Sequence, residues 1–207
     1  MNKPRLLDLF CGAGGAAMGY ARAGFEVVGV DIAPQPRYPF AFVQADAMTF
    51  PLDGYDAIHA SPPCQKYSAA TRHLAKDTPM LIEPLRERLV ANGLPYVIEN
   101  TPGAPLLNPA TLCGLSFGLK VKRHRLFETS ILMLVPPCPS HKQDYFVIFG
   151  HEVRDRHHGH TAGRKNNLAA GRIAMGIDWM NRGELSESIP PAYTEYIGRA
   201  LMAAMQP

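Results

Sequence analysis

The sequence Arg5-Leu6-Leu7-Asp8-Leu9-Phe10-Cys11-Gly12-Ala13-Gly14-Gly15, near the start of the chain, is the strongest indication of its fold. The apolar run Arg5–Phe10 predicts a first strand, and the small residues of Ala16–Ala23 predict the helix that follows. Glycines between a first strand and a first helix let the backbone approach a ligand, and the helix N-terminus offers free N–H groups. By itself this glycine pattern fits a ligand loop and an ordinary tight turn equally well.

The next two apolar runs end in or near an aspartate. Glu26–Val30 is followed by Asp31, and Ala41–Gln44 ends near Asp46. An acidic residue at the end of the second strand of a βαβ unit typically holds the hydroxyls of a ribose. Together with the glycine loop, these two positions predict a nucleoside-type cofactor.

A cysteine and a carboxylate follow two further predicted strands. The run Tyr55–Ala60 leads into Ser61-Pro62-Pro63-Cys64-Gln65, and Tyr96–Ile98 ends in Glu99-Asn100. An isolated cysteine is more often a small buried hydrophobe. Here prolines fix φ and a strand anchors the base of the loop, so the thiol is placed to act. A thiol and a carboxylate at the ends of two strands could act on one substrate.

Strands and helices alternate up to about residue 100, which predicts a doubly wound, mostly parallel sheet with helices on both faces. Helices are predicted from about Glu83 to Asn92 and from about Ala192 to Met205. The pattern fails at approximately 130–170, where we expect an irregular lobe or a mobile loop. We therefore predict one domain, residues 1–207, with this reduced lobe inserted in it.

Five segments, in this order, resemble the DNA cytosine-5 methyltransferases. They are similar to the S-adenosylmethionine motif, the nucleophile motif, the acid motif, the Arg-x-Arg motif and the final motif of that family. The segments are Asp8–Gly15, Pro63–Gln65, Glu99–Asn100, Arg123–Arg125 and Ser188–Gly198. The resemblance implies a class I methyltransferase fold and transfer of a methyl group from S-adenosyl-L-methionine to cytosine C5 in DNA.

The chain departs from the family pattern in three places. Thr101 follows the acid motif where valine is more usual, and Ser186-Glu187 stands where the final motif usually begins Gly-Asn. Only about sixty residues separate Arg125 from Glu187, which leaves no room for a full target-recognition domain.

The resemblance implies a covalent route, because cytosine C5 is a poor nucleophile until a thiolate adds to C6. Cys64 would be that nucleophile, a protonated Glu99 would neutralise N3, and Arg125 would hold O2, with Arg123 behind it or on a phosphate. The target nucleotide of double-stranded DNA would have to flip out, and the run Gln65–Thr78 could close over it. The sequence does not identify the base that removes the C5 proton; a water would serve.

Candidate site residues therefore fall into three groups. The catalytic candidates are Cys64, Glu99, Asn100, Arg123 and Arg125. The candidates for cofactor binding are Asp8, Phe10, Gly12, Gly14, Asp31, Ile32, Asp46, Ala47, Pro62 and Ser188. The candidates for nucleic-acid binding are Gln65, Ser68, Arg72, Arg154, Arg156, Arg164 and Lys165.

Positive charge is concentrated in one segment. Residues 120–172 contain ten Lys or Arg and four Asp or Glu, a net charge of +6. The whole chain carries +3, so the remainder carries −3. Charge alone fits a solvated surface as well as a phosphate-binding one. Joined to the order of the motifs, it favours nucleic acid as the partner.

Composition favours a cytoplasmic protein. The chain is 46% hydrophobic, which argues against extended disorder, and no apolar run approaches the ~20 residues of a membrane span. Met1–Arg5 leads straight into a strand, so we expect no secretory signal. Four cysteines at scattered spacings favour reduced thiols over a disulfide framework.

Histidines and cysteines in the second half of the chain raise the question of zinc. Cys138 and His141 could be combined with the loop histidines, which are His151, His157, His158 and His160. Their spacing matches no standard four-ligand pattern, so we expect no metal. Cys11 and Cys113 are expected in the core.

Three functional hypotheses remain open at this level. The first is a DNA cytosine-5 methyltransferase of minimal size, of restriction-modification or phage type. The second keeps the chemistry but acts on RNA or another cytosine-bearing molecule. The third is a non-catalytic relative that binds the cofactor or DNA, although such a protein would not need an activated thiol.

Overall fold

The computed structural model describes residues 3–67, 79–149, 152–157, 160–162 and 167–206. Seven strands form its main sheet: β1 Arg5–Leu9, β2 Glu26–Asp31, β3 Ala41–Gln44, β4 Ala57–Ala60, β5 Tyr96–Asn100, β6 Ala110–Leu112 and β7 Arg125–Thr129. Their order is β3-β2-β1-β4-β5-β7-β6. Strands β1 to β5 pair in parallel, and β7 runs antiparallel to both of its neighbours.

Helices cover both faces of this sheet. They are α1 Gly15–Ala23, α2 Ile82–Asn92, α3 Leu168–Met175, α4 Arg182–Glu187 and α5 Pro191–Ala204, with a 3₁₀-helix at Gly114–Phe117. The core shared by α1 and α5 buries Tyr20, Tyr193 and Leu201, whereas α2 buries Leu85 and Leu89 in a separate core. Both faces of a parallel sheet are therefore apolar, as such a sheet requires.

Helices α1 and α5 approach each other closely because of Gly19. A Cβ atom at Gly19 would lie 2.1 Å from the carbonyl oxygen of Pro191 and 2.1 Å from Oγ1 of Thr194. Thr194 donates a hydrogen bond to the carbonyl of Ala16 at 2.8 Å. This contact fixes the C-terminal helix beside the first βα unit.

The predicted doubly wound fold is confirmed. The helix predicted at Glu83–Asn92 is α2, which ends at Gly93 in a left-handed cap with φ of 81°. The helix predicted at Ala192–Met205 is α5, displaced by one residue at each end. The remaining predicted strands of the first hundred residues are present, and Glu99 and Asn100 belong to β5 itself.

The segment expected to be irregular contains more structure than predicted. A second sheet is formed by β8 Tyr145–Phe149, β9 Glu152–His157 and β10 His160–Ala162, in the antiparallel order β10-β9-β8. The run Tyr145–Phe149 is rich in aromatic and β-branched residues, which favour strands despite their proline-rich and polar surroundings. A bridge from Val121 to Phe146 joins this sheet to the rest of the fold.

Among the described residues, none of the helices has the length and apolar character needed to cross a bilayer.

Candidate active site

The loop that carries Cys64 is held at its base by a neighbouring strand. The loop begins where β4 ends, and Nδ2 of Asn100 donates a hydrogen bond to the carbonyl of Pro62 at 2.9 Å. The carbonyl of Cys64 in turn accepts from the N–H of Tyr67 at 3.0 Å, which closes a turn. Asn100, a catalytic candidate from the sequence, therefore positions the backbone on which the thiol sits.

Glu99 and Arg125 form a nearly buried ion pair beside this loop. Nε of Arg125 lies 3.1 Å from Oε1 of Glu99, and their side chains are 14% and 9% exposed. Within the described part of the chain, Oε1 is buried and has no hydrogen bond besides this ion pair. Burial raises the pKa of the Glu99 carboxyl, and the Arg125 and Arg123 charges and a hydrogen bond from Ser61 oppose that rise without cancelling it.

Cys64 belongs to the same electrostatic environment. Burial and the charge of Glu99 raise the pKa of its thiol, whereas Arg125 and Arg123 lower it. The pKa remains above the ordinary value, so at neutral pH the free protein holds this group as a thiol. Two positive side chains are nevertheless close enough to stabilise the thiolate when it forms.

The side chain of Arg123 hydrogen-bonds to backbone carbonyl groups. It is buried, and its guanidinium donates to the carbonyls of Ile148 at 2.9 Å and Ser186 at 2.6 Å. Burial and the charge of Arg125 lower its pKa to about 9. Of the two positions expected from the sequence, behind Arg125 or on a phosphate, these contacts favour the first.

A buried chain of polar groups reaches Glu99 from behind, and sequence reasoning missed it. The Tyr20 hydroxyl lies 2.9 Å from Nδ1 of His59, whose Nε2 lies 2.9 Å from Oγ of Ser61. Ser61 hydrogen-bonds to Glu99. Burial lowers the pKa of His59 to about 3, so the ring is neutral and can accept at one nitrogen and donate at the other. The signal was His59 itself, a polar residue in a fully buried strand.

The glycine loop after β1 is tied to the end of β2 by Asp31. Its carboxylate accepts hydrogen bonds from the N–H groups of Gly12 and Ala33, both at 3.0 Å. Phe10, Gly12 and Gly14 have φ of 56°, 48° and 84°, so the loop turns sharply. A Cβ atom at Gly12 would meet nothing within 4 Å, which leaves open space beside the loop.

The other cofactor candidates follow the carboxyl ends of β2, β3 and β4. Ile32 is 73% exposed next to Asp31, and an exposed apolar side chain there can pack on the flat face of a ring. Asp46 accepts from the N–H of Met48 at 2.8 Å, and Ala47 is buried beneath it. Pro62 is buried as well, in the Cys64 loop.

Ser188 and Asp8 carry buried polar atoms near the glycine loop. A Cβ atom at Gly15 would lie 3.0 Å from Cβ of Ser188, whose Oγ has no hydrogen-bond partner among the described residues. Oδ2 of Asp8 accepts from the Tyr38 hydroxyl at 3.3 Å, whereas its Oδ1 has no such partner in the same residues. Burial raises the pKa of Asp8 to about 8. Trp179 donates from Nε1 to the carbonyl of Ala13 at 2.8 Å.

The structure places few of the candidates for nucleic-acid binding. Gln65 is exposed next to Cys64, and Arg154 is half-buried on β9. Ser68, Arg72, Arg164 and Lys165 lie outside the described residues, as do most of the expected lid and the side chain of Arg156. Their role in binding therefore stays a prediction.

Comparisons with known proteins agree with this fold. Two solved structures of similar fold are a candidate DNA modification methyltransferase encoded within an E. coli prophage and the Dnmt2 methyltransferase of S. pombe. The first has a TM-score of 0.63 at 16% identity over 97% of this chain and 99% of the other. The second has a TM-score of 0.64 at 14% identity over 99% of this chain and 100% of the other. At such identities the likeness concerns the fold, which is that of the class I, Rossmann-like methyltransferases.

Sequence comparison adds a likeness to one family over about half of the chain. Residues 4–98 match the family model of the C-5 cytosine-specific DNA methylases. The type II methyltransferase M.NgoMIV of Neisseria gonorrhoeae is 34% identical over 116 residues, which are 50% of this chain and 36% of that protein. Residues 4–98 are therefore similar to the C-5 cytosine-specific DNA methylase family, and the predicted resemblance is confirmed. The chain spans about a third of the length of this curated relative.

Proposed function

We propose that this protein transfers a methyl group from S-adenosyl-L-methionine to C5 of cytosine in DNA. The observation that carries the proposal is the nearly buried pair of Glu99 and Arg125, 3.1 Å apart, beside the loop of Cys64. A thiol, a carboxyl of raised pKa and a guanidinium in one enclosed site match what activation of a pyrimidine ring requires. A protein that only binds DNA has no use for this combination.

The residues around the glycine loop fit the methyl donor. Asp31 would hold the ribose hydroxyls, Ile32 would pack on the adenine, and Ser188, whose buried Oγ has no partner in the described residues, would meet a polar group of the cofactor. S-adenosyl-L-methionine supplies an electrophilic methyl group when bound. The open space at Gly12 lets the cofactor lie against the backbone, as the fold class requires.

On the base side, Cys64 forms the covalent bond that activates the ring. Its thiolate adds to C6, the electron pair of the C5–C6 bond moves toward N3 and O2, and Glu99 gives a proton to N3. Arg125 stabilises the negative charge that develops at O2. When C5 takes the methyl group, the donor would leave as a neutral thioether and N3 would return its proton to Glu99. A base then takes the proton from C5 and the C6–S bond breaks, which returns Cys64 as a thiolate.

Access to the base decides the form of the substrate. Cytosine C6 in a duplex is covered by stacking, so double-stranded DNA would have to present the base flipped out into this site. The +6 charge of residues 120–172 favours phosphate contacts over reading of base edges. We therefore expect weak, salt-dependent binding that tolerates sequence beyond a short context, which Arg154, Arg156, Arg164 and Lys165 would all support.

Methyl-labelled cofactor tests this proposal directly. The purified chain should label duplex DNA, and Cys64→Ser should abolish labelling while leaving cofactor affinity nearly unchanged, because the thiol lies on the base side. DNA that contains 5-fluorocytosine should trap a covalent adduct through Cys64, since fluorine cannot leave as a proton does. Labelling of RNA in place of DNA, or turnover by the Cys64→Ser variant, would refute the proposal.

A further inference from the structure

Two cysteines and two histidines, none of which has a role in the proposed methyl transfer, converge at one point. The ligand atoms of Cys113, His124, Cys138 and His141 all lie within 4.8 Å of one another. Nε2 of His141 lies 3.2 Å from Sγ of Cys138 and 3.7 Å from Sγ of Cys113. Nε2 of His124 lies 3.4 Å from Sγ of Cys138.

These separations match the edges of a tetrahedral zinc site. With Zn–S of about 2.3 Å and Zn–N of about 2.0–2.1 Å, a regular tetrahedron places each sulfur about 3.6 Å from each nitrogen. The three sulfur–nitrogen distances given above, 3.2, 3.4 and 3.7 Å, lie around this value. Two thiolates and two imidazoles in tetrahedral geometry are a ligand set that selects zinc.

Hydrogen bonding alone explains the cluster less well. A ring nitrogen of histidine has either one lone pair or one proton, so it makes one good hydrogen bond. Nε2 of His141 nevertheless lies close to the sulfur atoms of both Cys113 and Cys138. The Cys138 sulfur is in turn close to the Nε2 atoms of both histidines. A single cation in the centre satisfies all four groups at once.

We propose that Cys113, His124, Cys138 and His141 bind one structural Zn²⁺ ion. Both thiols would lose their protons to solvent on binding, so two thiolates and two neutral imidazoles would balance the ion with no net charge. Four protein ligands leave no open position, as is typical of structural rather than catalytic zinc.

The ligands come from three parts of the chain, so the ion would join them. Cys113 directly follows β6, and His124 directly precedes β7. Cys138 and His141 lie in residues 130–144, which contain neither helix nor strand. The ion would add to the packing of Ile131 and Met133 against the core in holding this segment to the edge of the main sheet.

The position of His124 connects this site to the proposed chemistry. His124 lies between Arg123 and Arg125, and Nη1 of Arg125 donates to the carbonyl of His124 at 2.9 Å. A metal bond to His124 would hold the backbone on which both arginines sit. The zinc site itself stands on its own geometry and does not require that methyl transfer be correct.

Metal content of the full chain tests the proposal. Protein from zinc-supplemented cells, dialysed without chelator, should contain about one zinc per chain by mass spectrometry of the elements. Cys138→Ser and His141→Gln should each lose most of this zinc. The matched control is Cys64→Ser, which changes a cysteine outside the cluster and should keep its zinc while losing methyl transfer.

Cobalt binding can be measured on the wild-type protein, so the proposal can be tested even if a substituted variant fails to fold. Replacement of zinc by Co²⁺ should produce the intense visible bands of a tetrahedral ion and a thiolate-to-cobalt charge-transfer band, both weakened in Cys113→Ser. Folded wild-type protein that holds neither zinc nor cobalt would overturn the proposal. So would a Cys113–Cys138 disulfide in freshly prepared protein, or zinc that survives all the cluster substitutions.

Discussion

Nε of Arg125 lies 3.1 Å from Oε1 of Glu99, although 25 residues separate the two in the chain. The antiparallel register of β5 and β7 sets this contact, because it pairs Glu99 with Phe127 and Asn100 with Leu126. The guanidinium therefore opposes the rise in pKa that burial gives both Glu99 and Cys64. The behaviour of the thiol depends directly on this neighbour.

Loss of the Arg125 charge should make Cys64 less reactive. In Arg125→Gln the pKa of the thiol should rise further, because a positive charge that favours the thiolate is gone. Methyl transfer should fall by about 10²–10³-fold, as for other lost donors to developing negative charge. Peptide-resolved alkylation of Cys64 against pH measures the first effect. Arg125→Lys, which keeps the charge, should retain the wild-type alkylation profile; an unchanged profile in Arg125→Gln would contradict the assignment.

The Ser61 hydroxyl should lower the pKa of Glu99. This hydroxyl favours the ionised carboxyl, so Ser61→Ala should raise the pKa of Glu99 and move the limb of the pH–rate profile that Glu99 controls to higher pH. Ser61→Thr keeps a hydroxyl and serves as the control. A merely structural role for Ser61 would lower the rate equally at every pH and leave the profile where it is.

Removal of the Asp31 carboxylate should weaken cofactor binding rather than chemistry on the base. Asp31→Ala loses the hydrogen bonds that order the glycine loop as well as the expected ribose contacts. Hydrogen bonds to charged groups contribute about 1.5–3 kcal/mol, so affinity for S-adenosyl-L-methionine should fall about 10–100-fold. Titration calorimetry measures this. Asp53→Ala removes the same charge from an exposed loop and should bind the cofactor normally.

Asp8 should make the fold less stable as pH rises. Burial raises its folded-state pKa from 3.8 to about 8, so between those values the folded protein holds a proton that the unfolded chain has lost. The free energy of unfolding should then decrease with pH in this window, by at most about 1.4 kcal/mol for each pH unit. Urea unfolding of the wild type and of Asp8→Asn, from pH about 4 to about 8, tests this prediction. The free energy of unfolding of the variant should lack this decline. Parallel curves of unfolding free energy against pH for the two proteins would contradict the role of Asp8.

Local patterns in the sequence were enough to find the strand ends and the residues that follow them. Glycine loops, acidic strand ends and proline-braced turns are encoded in neighbouring residues, so Asp31 and Cys64 could be placed on the fold before any coordinates. The main failure was the run Tyr145–Phe149, a strand concealed between proline-rich and polar segments.

The order of the elements, the likeness of residues 4–98 to the cytosine-5 methylases and the identity of the groups available for chemistry all follow from local sequence. Which of those groups meet depends on the folded chain. Asn100 donates a hydrogen bond to the carbonyl of Pro62, which lies 38 positions earlier in the chain. Cys113 and His124 lie close to Cys138 and His141, and Cys113 is 28 positions from His141. Strand register and packing set such contacts. The number of residues between two positions does not predict them, because the loops that join the strands can vary in length without changing which strand ends are neighbours.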